Sequence, residues 1–189
     1  LTTDTNGVVE IDSLVASQVS GNYLVTATLK ADTTVKDTVR LNVMVPNFVE
    51  FGTSDYWSLT GNITTEGQNH PSNHWCTSVT KDDLTKALKK FYEWSASEKG
   101  GGKAVKLGIN DMGLVWGGAF DIFGNWNLNY EHSFHRIGLS VDIDNKPGEL
   151  RQDDGTLTKK GQKLKEIMEA YGGKKYKETT IHFGFDGGI

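Results

Sequence analysis

The stretch from residue 132 to 144, His-Ser-Phe-His-Arg-Ile-Gly-Leu-Ser-Val-Asp-Ile-Asp, limits the fold more than any other part of the chain. His135 and Asp142 stand seven positions apart, with Gly138 between them. Leu139 to Ile143 alternates and carries β-branched residues, which suits a pleated strand better than a helix. In that strand Leu139, Val141 and Ile143 share one face, and positions 140, 142 and 144 share the other. Asp142 therefore points away from the apolar side. A turn at Gly138 brings the His135 ring back beside it. A histidine and a carboxylate meeting in this way, with one further ligand from elsewhere, make a three-ligand zinc site with an open fourth position.

His182 is the candidate third ligand. It lies in the strand-like run Thr179-Thr180-Ile181-His182-Phe183-Gly184-Phe185. Ile181, Phe183 and Phe185 share one face, so His182 lies on the other. Two strands then each present a polar ligand on the side away from the core. The bland alternative is that the spacing arises by chance and that Asp142 only forms a turn.

Three segments carry a resemblance: Leu107-Gly108-Ile109-Asn110-Asp111-Met112, then Gly117-Gly118, then His132 to Ile143. Together they resemble the penicillin-insensitive murein endopeptidases, and more broadly the zinc peptidases of the LAS, or hedgehog/DD-peptidase, group. The match spans about residues 105 to 185, and its sharp part is the H-x-x-G-x-x-V-D-I core at 135–143. The resemblance implies His135, Asp142 and His182 as zinc ligands, and His132 as the extra upstream histidine of that family. It implies a substrate in the peptide cross-links of bacterial peptidoglycan and a location outside the cytoplasm: secreted, periplasmic or wall-associated. The chain departs from the family on the last strand, where Thr180 replaces the first histidine of a His-x-His pair. Its nearby carboxylate, Glu178, stands four residues before His182. Glu178 is the candidate general base, or else an ordinary strand-edge residue. Arg136 is a candidate for binding a substrate carboxylate, or else a surface residue. Asp144 or Glu131 are candidate supports for the imidazoles. A non-catalytic wall-binding or structural module that keeps the peptidase fold is the alternative function.

The bounds agree with such a role. With 189 residues the chain is long enough for one large domain or two small ones. Its net charge of −4 and pI near 5.7 argue against nucleic-acid binding, which favours a basic face. No apolar run approaches the roughly 20 residues of a membrane span. No signal peptide is visible, since Leu1 opens on a polar stretch, as it would in a processed or a trimmed chain. The single Cys76 excludes an internal disulfide and is read as a buried apolar residue rather than a ligand or nucleophile.

Residues 1–46 form a separate region. Positions 21–29 and 37–45 alternate, with Tyr23, Val25, Ala27 and Leu29 on one face and Val39, Leu41, Val43 and Val45 on another. They look like the last strands of a bacterial Ig-like sandwich. Alternatively, they pack on the domain that follows. Pro46 marks the boundary to an α+β domain over 47–189. Residues 48–79 read as an irregular loop in which His70 and His74, with Trp57 and Trp75, either line a substrate groove or serve a turn. A helix is expected over Thr80–Ser97, with Thr80 as cap and Asp82 and Asp83 in its first turn. A second is expected over Leu157–Tyr171 with Thr158 as cap. Phe120, Phe123, Trp126 and Tyr130 suit a substrate groove or a core equally. The expected class is α+β, a small antiparallel sheet with flanking helices carrying the zinc site.

Overall fold

The two alternating runs near the N-terminus pair as an antiparallel hairpin, β1 (Gly21–Leu29) with β2 (Asp32–Val43), which forms its own two-stranded sheet. The computed structural model describes residues 4–10, 13–15, 17–61, 64–65, 68–69, 72–119, 135–144, 149–176 and 181–186. Tyr23 faces Leu41 and Val25 faces Val39 across the hairpin, but only its base is half-buried. Two strands alone are marginal in water. The base is therefore tied to the rest of the chain. The Val45 N–H donates to Trp116 O (2.9 Å) and the Ala119 N–H to Gln18 O (2.8 Å). The Ser20 hydroxyl donates to Gly117 O (2.7 Å). Among the described residues no second sheet covers the hairpin, so the Ig-like reading remains an expectation.

Residues 48–79 are not the irregular loop the sequence suggests. They hold β3 (Phe48–Glu50), β4 (Trp57–Leu59), β5 (Thr64–Thr65), β6 (Gln68–Asn69) and β7 (Trp75–Thr77). Each has two or three residues, too few for alternation to register as a pattern. β7 pairs with β3 and runs directly into helix α1 (Ser78–Ala96). The cap of α1 is Thr77, whose hydroxyl accepts the Thr80 N–H at 3.2 Å, and not Thr80. The helix thus starts three residues earlier than expected, and Asp82 and Asp83 fall beyond its first turn. Helix α2 (Lys159–Ala170) begins as expected, with Thr158 accepting the Gly161 N–H at 3.1 Å.

The central sheet adds β8 (Leu107–Ile109), β9 (Ser140–Ile143), β10 (Gly173–Lys175) and β11 (Ile181–Phe185), in the order β10-β11-β9-β8-β4. Its antiparallel character is broken at one edge, where β4 runs parallel to β8. A parallel neighbour needs a long crossover, and the chain between β4 and β8 supplies one through α1. The class is thus mixed α and β, mostly sheet, with two α-helices among the described residues.

The odd-numbered sheet residues, Leu107, Ile109, Val141, Ile143, Ile181, Phe183 and Phe185, are buried. They join Leu84, Leu88 and Phe91 of α1 and Leu164, Ile167 and Met168 of α2 in one core. Burying each such side chain contributes roughly 1.5–3 kcal/mol, so this face secures the sheet. The even-numbered residues Ser140, Asp142 and His182 lie on the opposite face and are buried as well. Among the described residues no helix is long and apolar enough to cross a membrane.

Candidate metal centre

The register of β11 on β9 places His182 directly opposite Asp142. Cross-strand partners share a face, so the two side chains start about 5 Å apart at Cβ. His135 arrives from the turn before β9. The Gly138 N–H closes that turn on His135 O at 3.1 Å, and Gly138 holds φ +66°. A Cβ at Gly138 would lie 2.4 Å from the Phe48 ring, so glycine is required there. The turn is pinned further by the Thr77 N–H to Gly138 O at 3.2 Å.

The result is one cluster. His135, Asp142 and His182 each offer a ligand atom, and these atoms lie within 4.8 Å of one another. His135 Nε2 stands 3.6 Å from Asp142 Oδ2, and His182 Nδ1 stands 3.8 Å from Asp142 Oδ1. The imidazoles stack at 5.1 Å between centroids and 22° between planes. All three residues are at most 9% exposed. Distances of 3.6 and 3.8 Å are too long for hydrogen bonds. They run one to each oxygen of the Asp142 carboxylate, a few tenths of an ångström beyond the edge of about 3.4 Å of a tetrahedron with bonds of about 2.0–2.1 Å. The donor set, two imidazoles and one carboxylate, suits a divalent transition metal, so the group can hold a metal ion.

The surrounding wall has two parts that sequence reasoning missed. The first is Tyr176. Lys175 pairs with Phe183, and the Tyr176 N–H donates to His182 O at 3.0 Å, so Tyr176 continues the ladder opposite His182. Its ring lies 4.9 Å from the His182 ring at 47°. Gly184 makes room for it, since a Cβ there would lie 2.5 Å from the Tyr176 ring. The signal was in the sequence: two strands joined by a short link oppose residues at a fixed spacing. The second part is a bulge. The Asn110 N–H donates to Asp142 O (2.8 Å), and the Asp142 N–H donates to Asp111 O (2.8 Å). Two residues of one strand thus oppose one of the next. Asn73 holds this bulge, its Nδ2 donating to Asp111 Oδ1 at 2.6 Å and to Gly61 O at 3.0 Å. On the same even face, Asp144 lies over Gly108, where a Cβ would sit 2.6 Å from its carboxylate.

The other candidates separate from the cluster. Arg136 turns its guanidinium to the N-terminal segment, donating from Nη1 to Gln18 Oε1 at 2.9 Å. It lines a pocket of about 300 Å³ with Gln18, Met44, Val45, Trp116 and Ile137. His74 is buried, with Nε2 at 3.0 Å from Ile109 O, and Trp57 is buried with its indole N–H on Gly52 O. Both belong to the scaffold rather than to a groove, because their polar atoms are engaged by main-chain carbonyls. Cys76 is fully buried, and burial pushes its thiol from 9.0 up to about 12, the nearby Lys81 opposing only in part. His132, Glu178, His70, Glu131 and the aromatic residues from Phe120 to Tyr130 lie outside the described residues. No protein-family model, curated protein or solved structure matches the chain.

Proposed function

We propose that this chain is a zinc-dependent peptidase that hydrolyses amide bonds in bacterial cell-wall peptides outside the cytoplasm. The observation that carries the reading is the meeting of His135, Asp142 and His182, remote in sequence, with one ligand atom from each within 4.8 Å of the other two. The wall-peptide substrate is supported by the resemblance of residues 107–143 to murein endopeptidases. Zinc held here supplies a Lewis acid and a water acidified to a pKa of about 7 for attack on an amide carbonyl. The chain's own residues set the conditions for that chemistry. Two neutral imidazoles and one carboxylate leave a divalent ion with net positive charge. Burial of all three strengthens its pull on a carbonyl oxygen. Tyr176 closes one side by covering the His182 ring. In this reading Glu178 and His132 move protons, and Arg136, whose guanidinium donates to Gln18, braces the turn that carries His135.

Metal analysis of the purified protein and muropeptide release from isolated walls test the proposal together. The parent should carry one zinc per chain and release muropeptides. Asp142→Ala and His182→Ala should lose both. Unchanged zinc content in the variants refutes the ligand set. Stoichiometric zinc with no release from any wall peptide favours the non-catalytic module.

A further inference from the structure

The ligand Asp142 is gripped through its main chain, and the grip is built by residues from another part of the fold. Its C=O accepts from Asn110 N–H and its N–H donates to Asp111 O, both at 2.8 Å. A two-on-one bulge leaves the ladder locally disrupted and bends its strand, so its position must be held by other contacts. Here it is locked. Asn73 Nδ2 donates to Asp111 Oδ1 at 2.6 Å, and Asn73 O accepts the Met112 N–H at 2.9 Å. One asparagine thus clasps the segment at Asp111 and at the residue after it. The same amide reaches Gly61 O at 3.0 Å, which anchors the clasp to the segment after β4. Asn73 is fully buried and Asp111 is 6% exposed. Among the described residues Asp111 and Asp142 are the only buried carboxylates. Burying a second carboxylate beside a ligand is costly unless it serves a bonded network.

We propose that Asn73 and Asp111 form a positioning pair that sets the Asp142 carboxylate for metal. This rests on the metal reading above and concerns affinity for the ion, not turnover. The pair acts through the backbone of residues 110–112. It fixes where β9 stands relative to β8, and hence where Asp142 meets the two rings.

The test uses the full chain loaded with zinc, competed against a chromophoric chelator, and with cobalt, read by its visible absorption bands. Asn73→Ala and Asp111→Ala should each weaken zinc by about 10–100-fold and shift the cobalt bands. Asp111→Asn keeps an oxygen for the Asn73 amide and should stay within about threefold of the parent. The double alanine variant should be no worse than the poorer single one, because the residues act as a unit. Should Asn73→Ala fail to fold, Asn73→Ser takes its place in the same cycle. Parent-like zinc affinity and cobalt bands in both alanine variants overturn the pair, even with a lowered metal-free melting temperature. Asp111→Asn as damaging as Asp111→Ala also overturns it, since charge rather than the hydrogen bond would then matter. A parent that binds no zinc removes the metal reading itself, and this inference with it.

Discussion

Gly138 shows how one residue decides the site. Its φ of +66° and the 2.4 Å approach of Phe48 to its missing Cβ leave no room for a side chain. Gly138→Ala should cost roughly 2 kcal/mol or more, and it should displace His135 with the turn. Chemical denaturation would show the first effect and zinc competition the second. Cys76 makes the opposite point, a potentially reactive group silenced by its surroundings. With the thiol raised to about 12, iodoacetamide at pH 8 should leave the native protein unlabelled and label it only after unfolding. The linkage follows the same sign. The folded state holds this proton more tightly than the unfolded one, so the stabilisation is complete below pH 9. It is then lost as pH rises from 9.0 toward 12, which a series of melts across that window would register.

At the level of elements, short strands did the work that length usually does. β7 and α1 meet at Thr77, which ends one and caps the other. Thr77→Ala should destabilise the protein by about 1 kcal/mol, seen as a lower denaturation midpoint with unchanged slope. The Thr80 N–H and hydroxyl both lean on that one side chain, so the effect should be no smaller than that typical value for a cap. Helix α2 was legible from Thr158 and the stripe of Leu164, Ile167 and Met168, because its cap stands in a polar loop and nothing competes with it. The start of α1 was not legible. Thr77 and Thr80 are equally good caps in sequence, and only the pairing of β7 with β3 chooses between them.

For the molecule as a whole, the centre should couple metal to stability. Binding only to the folded state stabilises it by about 2.7 kcal/mol at a free metal concentration of 100 Kd. For a chain of 189 residues that is a rise in Tm of about 5–10 °C. Calorimetry with zinc and with excess chelator should show this difference, and His182→Ala should abolish it. The gain should shrink as pH falls, because protons compete with the metal for the imidazoles. The hairpin β1–β2 belongs to this scale as well. Its base meets the turn that carries His135, through Arg136 O accepting the Gly118 N–H at 2.7 Å and Arg136 Nη1 donating to Gln18.

The meeting of His135, Asp142 and His182 was readable in the sequence because parity along a strand is a local property. Alternation alone places Asp142 and His182 opposite their apolar neighbours, and a glycine three residues after His135 marks the turn. The same locality made the hairpin strands and the two helices visible. What tertiary structure alone decided is which strands become neighbours. The parallel placement of β4 on β8 and the clasp of Asn73 on Asp111 both join segments far apart in the chain. Such pairings depend on how the core closes around α1 and α2, and no window of local sequence carries that information.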